Sequence, residues 1–132
     1  MESLKPRVMY SKLDPDAMDP LQNGSGVCHL LSPKEMTLKP GEETLIETGL
    51  RFYIPPGIAT LLSEGSPNQP YHLARPHDWV DTVGGGFKPA LRLYNDARDP
   101  LVLRRGERLA SLRFFPLLAE DLVPIKSDHE CN

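Results

Sequence analysis

Fourteen prolines punctuate this chain of 132 residues, about twice the ~5% share of an ordinary protein. They are spread from end to end, and the longest interval between two of them, Leu101 to Phe115, contains Gly106. An interior proline costs a helix about 3 kcal/mol. No interval therefore holds a long helix, and a helical bundle is excluded. Short strands joined by proline and glycine turns remain, which makes the chain an all-β barrel or sandwich.

The strand signals follow that rhythm. Residues 1–24 are polar and read as an extended N-terminal arm with one edge strand around Arg7 to Tyr10. Val27–Leu31 is a short apolar run, and Met36 and Leu38 lead into a turn at "PGEE". Thr44–Ile54 alternates, with Leu50, Phe52 and Ile54 on one face and Arg51 and Tyr53 on the other. "IPPG" then forces a turn. Ile58–Leu62, Leu91–Leu93, Leu101–Leu103 and Leu109–Phe115 read as further strands, and Glu64–Pro76 as a long loop. One β domain over residues 25–124 is expected, with 125–132 as a loose tail.

Composition excludes several functions. The net charge is −3, so no basic field draws the chain to nucleic acid or an anionic membrane. No apolar run approaches the length of a membrane span, and "MESLKPRVMYSK" lacks the apolar region of a signal peptide. The cysteines are two, Cys28 and Cys131, which fits a reducing, cytoplasmic compartment better than a disulfide framework.

Three constellations deserve a chemical reading. Gly84–Gly85–Gly86 is no P-loop, because no Gly-Lys-Ser/Thr follows and Pro89 blocks a helix start. Its backbone amides can form an anion nest, or it is a plain hairpin tip. His72, His77, Asp78 and Asp81 lie close enough in sequence to ligate a metal, but Pro76 interrupts them and a solvated loop is the simpler reading. Cys28 sits in an apolar run and reads as a small buried hydrophobe, not a nucleophile.

The order of these features is specific. "SGVCHLLSPKEMTLKPGEETLIETGLRFYIPPG", then "VDTVGGGFKPALRLYN", then "LRRGERLASLRFFP" resembles the trimeric dUTPase family from about residue 25 to residue 116. Leu38–Glu42, Thr48–Leu50, Ile54–Gly57, Asn95 and Gly106–Ala110 match its scaffold elements. The resemblance implies a small β jelly roll (a β-clip barrel of short strands), assembly as a homotrimer, and magnesium-assisted hydrolysis of dUTP to dUMP and pyrophosphate.

The family's chemical motifs are matched less well. Cys28 stands at the aspartate of A-G-x-D-L, and Gly65–Ser66–Pro67 stands where the family has R-S-G. Asp81 falls on the water-activating aspartate, and Gly84 on the tyrosine that packs against deoxyribose. Ser111 replaces the glutamine whose amide reaches phosphate, and the glycine-rich C-terminal motif is absent. On the resemblance, Ser66, Gly84, Gly85, Gly86, Arg108 and Ser111 are the remnants of a substrate site, with no metal site expected.

The sequence reading is therefore a dUTPase-like protein that has lost catalysis and works as a binding module with no cofactor. The chain also resembles the first-reading-frame proteins of adenovirus early region 4, which share "IPPG" and "NQP"-like stretches. That implies a viral protein in the host cytoplasm or nucleus, directed at signalling partners such as phosphatidylinositol 3-kinase. The ending Glu130–Cys131–Asn132 offers no apolar residue to a PDZ pocket. The alternatives are a divergent dUTP pyrophosphatase that uses Asp81 as base with magnesium, and a structural β domain.

Overall fold

A computed structural model describes residues 7–22, 24, 26–65, 69–75, 77–80, 86–117 and 122–125. Within them the chain forms strands and turns and no helix, as the proline spacing requires. The strands are β1 (Met9–Lys12), β2 (Leu21–Gln22), β3 (Val27–Leu31), β4 (Met36–Leu38), β5 (Glu43–Glu47), β6 (Leu50–Tyr53), β7 (Ile58–Glu64), β8 (Tyr71–Leu73), β9 (His77–Trp79), β10 (Ala90–Asn95), β11 (Leu101–Leu103) and β12 (Arg108–Pro116).

A five-stranded sheet of order β2-β3-β12-β7-β9 carries the site considered below. A three-stranded sheet, β5-β10-β8, and the pairs β1-β6 and β11-β4 complete the fold, with every strand pairing antiparallel. The core between them is aliphatic. Leu30, Leu38, Ile46, Leu50, Leu91, Leu93, Leu103, Leu109 and Leu112 are all buried. The strand β10 shows the mechanism most simply: Leu91, Leu93 and Asn95 point inward and Ala90, Arg92 and Tyr94 outward.

Four sequence expectations need correction. Thr44–Ile54 is not one strand. It breaks at Thr48–Gly49, and β5 and β6 join different sheets. Gly49 has φ of +74°, and a Cβ there would lie 3.1 Å from the Cβ atoms of both Ala17 and Asp14. Buried Thr48 anchors the corner by donating its hydroxyl to the Pro89 carbonyl at 2.9 Å.

The expected loop Glu64–Pro76 contains β8, whose Leu73 amide donates to Glu64 Oε1 at 3.2 Å. Likewise the stretch around His77 is a strand, β9, paired with β7. The edge strand expected at Arg7–Tyr10 lies at Met9–Lys12 and pairs with β6. After it, Ala17 enters the core at 2% exposure. Residues 126–132 of the expected tail lie outside the described residues.

Candidate functional site

The five-stranded sheet brings the first and fourth of the family-like motifs onto neighbouring strands, β3 and β12. Antiparallel register aligns His29 of β3 with Ser111 of β12, and Ser111 with Ser63 of β7. Residues directly opposite share a face, so these three polar side chains form a row across three strands. The row one residue along, Cys28, Leu112 and Leu62, belongs to the opposite face.

Cys28 is 6% exposed and packs in the aliphatic core. Burial pushes its thiol up to about 11, against a small lowering from a Leu112 backbone hydrogen bond. It is a protonated, apolar group at neutral pH. A buried neutral thiol does not fit magnesium, which takes oxygen ligands. The described donors do not hold that ion at the first motif, and no step is routed through it. Among the described residues no three His, Cys, Asp or Glu side chains converge as metal ligands. His72 instead lies 3.4 Å from Glu64, and Asp78 3.9 Å from Arg75.

His29 is half-buried and turns away from the core. Its Nδ1 lies 3.0 Å from Ser111 Oγ. Burial first, then the charges of Arg108 and Arg113, lower its pKa from the ordinary histidine value. The ring is therefore mainly neutral at pH 7. Ser111 is 2% exposed and Ser63 4%, and among the described residues the Ser63 hydroxyl has no hydrogen-bond partner.

Arg108 opens β12 at a bulge, where the register shifts between Arg108 and Ala110. Its carbonyl accepts the Tyr71 hydroxyl at 2.6 Å. Burial, assisted by the charge of Glu107, raises the Tyr71 phenol to about 12, so it remains a donor. Arg108 and Arg113 are both exposed.

Of the expected remnants, the structure thus brings Arg108 and Ser111 together with His29. Gly65 follows β7 and lies against the backbone of Leu109 and Ala110, where an added Cβ would sit at ordinary contact distance, 3.4 Å or more. Gly86 is exposed and packs on the aliphatic stem of Arg51. Ser66, Pro67, Asp81, Gly84 and Gly85 lie outside the described residues. Sequence reasoning missed His29 and Ser63. The signal existed only as pairing register, which no single strand carries.

Comparison with known proteins gives a consistent answer. No family model matches the chain. It is 30% identical over 126 residues to the deoxyuridine 5′-triphosphate nucleotidohydrolase of Mycobacterium leprae, covering 92% of this chain and 82% of that protein. It is 28% identical to the namesake of Nocardia farcinica over 100% of this chain and 82% of that protein. The Thermobifida fusca namesake is 29% identical over 80% of this chain, a match that spans 62% of that protein's own length. Among solved structures, a mutant dUTPase of Staphylococcus aureus phage phi11 superposes with a TM-score of 0.73 at 19% identity, covering 94% of this chain and 99% of that one. That phage protein coordinates a structural Mg(II) ion.

Proposed function

The chain belongs to the deoxyuridine 5′-triphosphate nucleotidohydrolase family, and from that premise we propose that it is a divergent dUTP pyrophosphatase with Asp81 as the base that activates water. The observation that carries this reading is likeness over nearly the whole chain, in sequence to bacterial enzymes and in fold to phage dUTPases. Water attacks a phosphorus of the triphosphate, the bond between the α- and β-phosphates breaks, and dUMP and pyrophosphate leave. The chain's own residues supply a neutral His29, the hydroxyl of Ser111 and the cations Arg108 and Arg113 on one face. Assembly as a homotrimer belongs to the same proposal, and light scattering at micromolar concentration tests it, with a monomer mass as the opposing result. No helix among the described residues is long and apolar enough to cross a membrane.

A second reading is favoured by one specific observation. Cys28, where the family motif carries an aspartate, is a buried thiol with its pKa raised to about 11. Removing one preorganised transition-state donor costs about 10²–10³ in rate, and Pro67 offers no backbone amide where the family has a glycine. On this reading the fold serves as a binding module with no hydrolysis. Pyrophosphate release from magnesium–dUTP separates the two. Turnover that vanishes in Asp81→Asn supports the enzyme, and release no greater than that of the variant overturns it.

A further inference from the structure

We propose that Tyr71 is a positioning residue for Arg108: from the other sheet, its hydroxyl pins the β-bulge that turns Arg108 onto the face of Ser111 and His29. What that face does rests on the hydrolytic reading above; how it is built does not. Side chains alternate along a strand, so on an unbroken β12 Arg108, three residues before Ser111, would point to the opposite face. The register shows otherwise. Ser111 pairs with His29, and Arg108 with Leu31, two residues further along β3 and on the same face. Three steps of β12 therefore span two of β3, and the extra residue is a bulge between Arg108 and Ala110. Leu109 and Ala110, although consecutive, both enter the core.

A bulge disrupts the ladder locally and leaves backbone groups in need of partners. The strand β7 does not supply one here, because its pairing with β12 begins at Ala110, opposite Glu64. The Arg108 carbonyl accepts the Tyr71 hydroxyl instead, at 2.6 Å. Tyr71 belongs to β8 of the three-stranded sheet, where it pairs with Asn95. Its side chain thus ties one sheet to the other at 7% exposure. Burial above all holds its phenol at about 12, so the hydroxyl stays a donor at neutral pH. The β3 side is fixed as well. The Ser32 amide donates to the Glu107 carbonyl, and the Gly106 amide to the Ser32 carbonyl, both at 2.8 Å. Arg108 is held between that turn and Tyr71.

The two arginines reach the His29 face by different means. Arg113 stands two residues from Ser111 on the regular part of β12, paired with Val27 and Leu61, and simple alternation places it. Arg108 arrives only through the bulge. Burial lowers the His29 pKa, and the charges of Arg108 and then Arg113 lower it further. The ring therefore reports where both guanidinium groups stand. Removing the Tyr71 hydroxyl frees the bulge to relax, which moves Arg108 and leaves Arg113 in place. A tyrosine that only filled core volume would be replaced by phenylalanine with no effect on His29.

The test is an NMR titration of the His29 ring in the full chain carrying Tyr71→Phe, which keeps the aromatic ring and removes the hydroxyl. The expected result is an upward shift of the His29 pKa that matches the shift in Arg108→Gln, with the Leu91 and Leu93 amides of the core unmoved. Tyr71→Phe combined with Arg108→Gln should shift His29 no further than either change alone, whereas Tyr71→Phe combined with Arg113→Gln should add the two shifts. Under the hydrolytic reading, kcat/KM for magnesium–dUTP should fall about tenfold or more in Tyr71→Phe and no further once Arg108→Gln is added. An unmoved His29 in Tyr71→Phe overturns the proposal, and so does full additivity with Arg108→Gln. A Tyr71→Phe chain that does not fold overturns it too, because the hydroxyl would then hold the whole fold and not the bulge alone. Absence of turnover in the parent protein removes the hydrolytic reading and leaves the His29 shifts as they are, so the two failures are told apart.

Discussion

The side-chain amide of Asn95 donates to the Leu38 carbonyl at 2.8 Å, joining the end of β10 to the end of β4 across 57 residues of chain. Asn95 is fully buried. The same amide donates to the Asp99 carbonyl at 3.0 Å, and its oxygen accepts the Ala97 amide at 2.8 Å. One side chain thereby satisfies the backbone of a turn and of a strand in another sheet. Asn95→Ala strands these partners, and each buried group left unpaired costs about 1–3 kcal/mol. The expected result is a loss of about 3 kcal/mol or more, measured by urea denaturation as a lower midpoint with an unchanged slope.

Gly49 is the corner at which the chain leaves one sheet for another. Its φ of +74° costs any L-residue about 1–2 kcal/mol. A methyl there also meets Ala17 and Asp14 at 3.1 Å, a contact that must open. Gly49→Ala is expected to destabilise by about 2 kcal/mol or more, seen as a lower Tm. Gly41→Ala has a similar φ, +71°, but open space around its Cβ. It should lose only the conformational part, so the difference between the two variants isolates the contact with Ala17 and Asp14.

The positions of these glycines explain which parts of the fold could be read from sequence. Proline spacing excluded helices because the penalty is local and large. The alternation of Leu50, Phe52 and Ile54 likewise placed β6 correctly on the core face. The strands β8 and β9 are each three residues long, too short for a period to declare itself, and their neighbouring prolines read as loop. The break at Thr48–Gly49 was hidden because alternation continues on both sides of it. The site was partly legible: the apolar run around Cys28 announced a buried thiol. The row of His29, Ser111 and Ser63 was not, since it depends on three strands in register and on a bulge at Arg108 that shifts one of them.

Cys28 offers a chemical check on the first motif. Its thiol is raised from 9.0 to about 11, so at pH 8 the thiolate fraction is about a hundredfold lower than in an unfolded chain. In a Cys131→Ser background, the folded protein should therefore react with a thiol-specific disulfide reagent at least about a hundredfold more slowly than the same protein in denaturant. Equal rates would show an accessible thiolate and remove the argument that this position is silent.

The same position can be asked to take back the family's acid. A carboxylate at Cys28 would enter an aliphatic site only 6% exposed, where only the protonated form is tolerated. Its folded pKa would therefore rise above the ordinary ~3.9 of aspartate. A group that holds its proton more tightly when folded loses stability as pH climbs from its unfolded pKa to its folded one. Cys28→Asp should consequently be nearest to the parent protein below about pH 4 and fall progressively behind it above that. Equal stability at pH 7 would mean that the carboxylate reaches water or a cation, and the first motif would then be open to chemistry after all.

His29 titrates in the opposite sense. Burial and the two arginines lower its folded pKa beneath the unfolded value of 6.5. The unfolded chain then binds more protons in that window. The stability linked to a neutral His29 is fully present above about pH 6.5 and is lost as pH falls through the unfolded and then the folded value. In His29→Gln the corresponding part of the slope should vanish, so the parent and variant denaturation midpoints, plotted against pH, converge as the medium is acidified from 7 to 5. Parallel curves would place His29 in an unperturbed environment and would remove the electrostatic support for a cationic face around Ser111. Raising the ionic strength should flatten the parent's curve more than the variant's, because salt screens the charges of Arg108 and Arg113 but not the effect of burial.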